Sequence, residues 1–84
     1  MEKKLGRWML LELVERNDVI KIDLYKKWFD GEGYECTDHT YYFKKEEYEK
    51  ALNVYNKINL KNIYEKLKEL REEGRNEYGK YNQK

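Results

Sequence analysis

VIKIDLYKKWFDGEGYECTDHTYYF, residues 19–43, can be read in two periods, and the choice between them decides the fold. Ile20, Ile22, Leu24 and Trp28 alternate with Lys21, Asp23 and Lys27, the period of two that a half-buried strand requires because successive side chains point to opposite faces. β-Branched and aromatic residues dominate the apolar positions, which favours an extended chain. Asp30, Gly31, Glu32 and Gly33 then supply the positive φ that tight hairpin loops need. Residues 34–43 are expected to return as a second strand, bringing Tyr41, Tyr42 and Phe43 near Leu24, Tyr25 and Trp28. Cross-strand aromatic pairs of that kind contribute about 0.2 to 1 kcal/mol each.

The alternative is helical, since Ile22, Tyr25, Trp28 and Phe29 also fit a period of 3.6. With Leu10, Leu11, Leu13 and Val14 upstream, the hydrophobic spacing over roughly half the chain is similar to a helix-turn-helix regulator. Thr37 would cap a recognition helix starting at Asp38, and Lys26, Lys27, Lys44 and Lys45 would sit on phosphates of a duplex bound by a dimer. That helix would aim mostly aromatics into the groove where short polar or basic side chains are needed. The loop 30–36 is also longer than the tight turn of such a motif. The hairpin is therefore the expected form, and the all-α bundle is its rival.

Working outward, residues 3–16 read as a helix, because Leu5, Trp8, Met9 and Leu13 recur at helical spacing in residues of good helix propensity. Gly6 weakens its first turn, and Leu10, Leu11 and Val14 fall away from the main stripe, so apolar groups occupy most of the circumference. Such a helix is either sandwiched in the core or presents Trp8, Leu11 and Glu15 as a docking face, and its width would suit pairing of two copies. Residues 45–58 return to helical period, with Tyr48, Ala51, Leu52, Tyr55 and Ile58 on one stripe and Glu46 and Glu47 in the first turn. Asn59 is placed to cap a last helix over 60–73, whose stripe is Leu60, Ile63, Tyr64, Leu67 and Leu70, and Gly74 to close it. The reading is an α+β domain over 1–74, ordered helix, β-hairpin, helix, helix, with a polar tail over 75–84.

Composition narrows the function. A chain of 84 residues buries only about 60 to 65% of the surface it exposes when unfolded, and one cysteine allows no internal disulfide, which fits a reducing, cytoplasmic setting. Eighteen basic against 17 acidic side chains exclude both a polybasic nucleic-acid arm and an acidic nucleic-acid mimic. Lys3, Lys4 and Arg7 precede an apolar run, but Glu12, Glu15 and Arg16 cut it short, so neither a signal peptide nor a membrane span is expected. Heavy use of Lys, Asn, Ile and Tyr without proline suits an AT-rich coding genome such as a phage or plasmid.

Catalytic groups are scarce. Cys36 and His39 are the one candidate nucleophile and base, yet on a strand residues three apart point to opposite faces. One cysteine and one histidine fall short of the ligands a structural zinc site takes, and Gly31 and Gly33 lie between carboxylates that would repel a phosphate. No enzyme, cofactor or metal is expected. The aromatics Tyr25, Trp28, Phe29, Tyr34, Tyr41 and Tyr42 flank Lys26 and Lys27, and helices can cover only one face of a hairpin. The candidate partner-binding residues are accordingly Trp8, Leu11, Tyr25, Lys26, Lys27, Trp28, Tyr34, Tyr41 and Tyr42. The function they imply is non-enzymatic docking of a protein or nucleoprotein partner, as a small inhibitor or adaptor from a mobile element acting on nuclease or nucleic-acid machinery.

Overall fold

The chain forms a four-stranded antiparallel meander followed by helices, a mixed α+β domain. The structure, a computed structural model, describes residues 1–27, 33 and 35–81, and the side chains of all of these except Cys36, Asp38 and Tyr81. The strands are β1 (Glu2–Leu5), β2 (Met9–Glu15), β3 (Val19–Lys26) and β4 (Glu35–Lys44), each paired with its sequence neighbour. A single 3-10 turn over Lys45–Glu47 leads into α1 (Tyr48–Lys57), followed by α2 (Ile63–Glu72) and the one-turn α3 (Tyr78–Tyr81).

Residues 19–26 and 35–44 pair as strands, which overturns the helical rival there, but in another register than expected: Tyr41, Tyr42 and Phe43 stand opposite Ile22, Lys21 and Ile20 and not beside Leu24 and Tyr25. The turn positions Asp30, Gly31 and Glu32 lie outside the described residues. Along β3 and β4 the register shifts: Asp23 faces Thr40 but Tyr25 faces Cys36, so three residues of β4 stand opposite Leu24 alone. Thr37 makes this bulge tolerable. Its hydroxyl donates to the Leu24 carbonyl at 2.8 Å and accepts the His39 N–H at 3.0 Å, so polar groups that the ladder misses are satisfied locally.

The helix expected over 3–16 is a second hairpin. Gly6 adopts φ +72 and turns the chain between β1 and β2, and Leu5 pairs with Met9 across that turn. The physical reason lies in the apolar pattern around the helix circumference. In β2, Leu11 and Leu13 face the core while Leu10 and Val14 face the other way and are half-buried, so a strand flanked on both sides accommodates what no single helical face could. Burial and ladder hydrogen bonds outweigh helix propensities that differ by a few tenths of a kcal/mol per residue.

Both long helices cover one face of the sheet. Ala51, Tyr55 and Ile58, with Ile63, Leu67 and Leu70 from α2, pack on Leu11, Leu13, Ile20, Ile22, Leu24, Tyr41 and Phe43. The expected start of the second helix is displaced: α2 begins at Ile63 behind Asn62, and Asn59 instead organises the turn before it, its side-chain oxygen accepting the N–H groups of Lys61 and Asn62 while the Asn62 side chain accepts the Asn59 N–H at 2.7 Å. At the other end Gly74 has φ +77, with Gly74 N–H on the Arg71 carbonyl and Arg75 N–H on the Leu70 carbonyl, a Schellman closure.

The polar tail expected after Gly74 is anchored at its first residue. Arg75 is 4% exposed. Its backbone oxygen accepts the Tyr42 N–H at 2.8 Å, and its guanidinium reaches the Tyr42 carbonyl at 3.2 Å and both carboxylate oxygens of Glu47 at 3.1 and 3.0 Å. It also stacks 4.1 Å from the Phe43 ring centroid. These contacts occupy part of the outer edge of β4 that would otherwise be open to a further strand.

Candidate docking surface

Among the described residues Trp8, Leu60 and Tyr64 are large apolar side chains that remain exposed, at 40%, 54% and 53%. The β1–β2 turn places Trp8. Leu60, in the capped turn before α2, lies so close to that turn that a Cβ on Gly6 would be 3.0 Å from its Cδ2. Tyr64, one turn further on, points its hydroxyl at the Met9 sulfur at 3.9 Å. Lys27 N–H donates to the Trp8 carbonyl at 2.8 Å, which holds the end of β3 against the same turn.

Cations border these rings. The Arg7 guanidinium lies 5.4 Å from the Trp8 ring centroid, and the Lys26 ammonium 5.6 Å from that of Tyr64, both within cation–π range. Glu35, opposite Lys26 in the ladder, is the acidic boundary of the surface.

Of the residues read from the sequence as partner-binding, Lys26 stands beside Tyr64, and Lys27 is tied through its backbone to Trp8. Leu11 and Tyr41 are corrected: at 0% and 1% exposure they belong to the core, because β2 and β4 turn them toward the helices. Tyr41 has a polar role instead, its hydroxyl lying 3.2 Å from His39 Nδ1 and accepting from Arg71 at 3.2 Å. Tyr25 and Tyr42 stand on the sheet face away from α1 and α2. There Tyr25 donates to Glu12 at 3.0 Å, and Tyr42 meets Tyr78 edge to face at 5.1 Å. Trp28 and Tyr34 lie outside the described residues.

Leu60, Tyr64, Met9 and Arg7 are the members that sequence reasoning missed. The signal was present for two of them: at 100° per residue Tyr64 falls about 100° from Ile63 and Leu60 about 60°, at the margin of the stripe whose centre is Ile63, Leu67 and Leu70.

The face carrying Tyr25 is polar by comparison. Asp23 is buried there at 2% exposure, accepting from Thr40 at 2.6 Å with Lys21 at 3.8 Å. Near its far end Arg16, Asp18, Lys21, Tyr42 and Tyr78 line an open groove of about 510 Å³. Tyr78 donates to Asp18 across it, and desolvation, followed by the Asp18 charge, raises the Tyr78 pKa.

Among the described residues no group of three or more His, Cys, Asp or Glu side chains could hold a metal ion. No described helix is long and apolar enough to cross a membrane. Comparison with known proteins finds no match to a family model, to a curated protein or to a solved structure.

Proposed function

We propose that this protein is a non-enzymatic docking module whose partner is a nucleoprotein complex, and that it acts as a small inhibitor or adaptor on nuclease or nucleic-acid machinery. The observation that carries the reading is the exposure of Leu60 and Tyr64, with Lys26 5.6 Å from the Tyr64 ring centroid, beside the β1–β2 turn that bears the exposed Trp8. Single exposed apolar residues are ordinary on a protein surface, whereas a cluster with a charged rim marks an interaction site. Trp and Tyr are also the residue types that most often dominate binding energy.

Affinity capture with the wild-type chain beside a Leu60→Asp, Tyr64→Ala variant tests this. A stoichiometric partner held by the wild type and lost by the folded variant is the expected result. Recovery by both alike, or by neither, would remove the proposal.

A further inference from the structure

We infer that β1 is the surface through which two copies of this chain pair, strand to strand and antiparallel about a two-fold axis at Lys3, with Glu2 of each copy opposite Lys4 of the other. β1 is an outer strand of the sheet, and the ladder fixes which way its backbone groups face. Met1 and Leu13 exchange both N–H···O=C bonds, at 2.8 and 3.2 Å, and in an antiparallel pair such exchanges recur at every second residue. Lys3 and Leu5 therefore bond to β2, and the N–H and C=O groups of Glu2 and Lys4 point outward. The other side of β2 agrees: residues of the opposite parity face β3, Trp8 accepting from Lys27 and Arg16 donating to Val19. Among the described residues nothing meets the outward groups of Glu2 and Lys4, whereas Arg75 takes part of the β4 edge.

Charge selects the register. Two-fold pairings that join outward groups to outward groups centre on Glu2, Lys3 or Lys4. The first sets Glu2 against its own copy, and the last sets Lys4 against its copy and draws in Gly6, whose φ of +72 breaks the extended chain. Centred on Lys3, every outward group finds a partner and each carboxylate faces an ammonium; opposite charges directly opposed stabilise a strand pair, and like charges destabilise it. Both side chains are exposed, and neither forms an ion pair or hydrogen bond with the described residues of its own chain. Glu2 stands opposite Glu12 within the protomer, a like-charge contact that Lys4 of the second copy offsets. The Lys3 side chains oppose one another at the axis, but on the helix face, where each ammonium is drawn onto its own Tyr55 carbonyl at 2.7 Å and lies 4.7 Å from that ring centroid. Met1, 62% exposed, comes opposite Leu5 on the same face. A short charged edge ordinarily resists pairing with unrelated strands; here the same charges select a second copy.

Sedimentation equilibrium of the untagged chain, from about 10 μM to about 1 mM, should show a monomer–dimer equilibrium. Glu2→Lys and Lys4→Glu should each weaken dimerisation roughly tenfold, because either change opposes like charges at both contacts. Mixed in equal amounts, the two variants should recover the dimer as a heterodimer, since the exchanged charges are again opposite. Lys4→Pro removes an outward N–H from each copy and no bond to β2. It should abolish dimerisation while the melting temperature, taken at the low end of that concentration range, stays near that of the wild type.

A wild type that stays monomeric throughout would overturn the inference. So would a dimer indifferent to both charge variants, or variants that remain apart when mixed. The outcome is independent of the docking proposal, because the pairing uses neither Leu60 nor Tyr64.

Discussion

Arg75 shows how much one side chain can depend on the fold. In sequence it follows a helix-ending glycine and precedes a polar stretch; in the structure its guanidinium is 5% exposed and bridges β4, the Lys45–Glu47 turn and the Phe43 ring. Replacing it with alanine removes a bidentate ion pair, a backbone hydrogen bond and a stacked cation, and should cost about 2 to 4 kcal/mol in urea unfolding. Arg75→Lys should recover little of this, since an ammonium cannot span both Glu47 oxygens and stack at once. Glu47 gives the companion pH prediction. The hydrogen bond from Arg75 holds its carboxyl below the ordinary 4.5, against the opposing effect of burial. The folded state therefore prefers the ionised form, so the contribution is complete above the unfolded value and lost as pH falls through the lowered one. Below about pH 5 the wild type should lose stability more steeply than Glu47→Gln, as measured by unfolding across pH.

Among the elements, the β1–β2 hairpin departs most from local propensity, and Gly6 is where it can be broken. An alanine there must hold φ near +72 and press its methyl against Leu60. Gly6→Ala should cost about 1 to 2 kcal/mol, with loss of hydrogen-exchange protection concentrated in residues 2–15. Lys3 links the same hairpin to α1: its ammonium donates to the Tyr55 carbonyl at 2.7 Å and lies 4.7 Å from that ring centroid. Burial lowers its pKa accordingly. Residues 45–73 are the opposite case. Their helical stripes and the Gly74 closure were readable directly, because the 3.6 period and the C-terminal glycine are local chemistry, whereas the start of α2 falls at Ile63, behind the turn that Asn59 organises. What the stripe does not say is how wide the sheet beneath it is, and so Leu60 and Tyr64 read as core when they overhang its end.

At the scale of the whole molecule, a four-stranded sheet with both long helices on one face leaves Leu60 and Tyr64 exposed where α2 begins beside the β1–β2 turn. Leu60→Asp should change stability by no more than about 0.5 kcal/mol, as for surface substitutions generally, while abolishing partner capture. The apolar width of residues 8–14 that motivated pairing of two copies is largely taken up inside the sheet, with Leu11 and Leu13 buried.

The sequence by itself determined the α+β class, the strand pairing within residues 19–43 though not its register, the two long helices and the Gly74 closure, since each follows from period and turn chemistry within a short window. Only the tertiary structure decided that residues 2–15 form strands, that Arg75 is interior and that Met9, Lys26 and Tyr64 meet. The reason is physical: a strand's identity depends on the neighbours that pair with it, and a surface is made by what the fold fails to cover. Neither is a property of any stretch of chain alone.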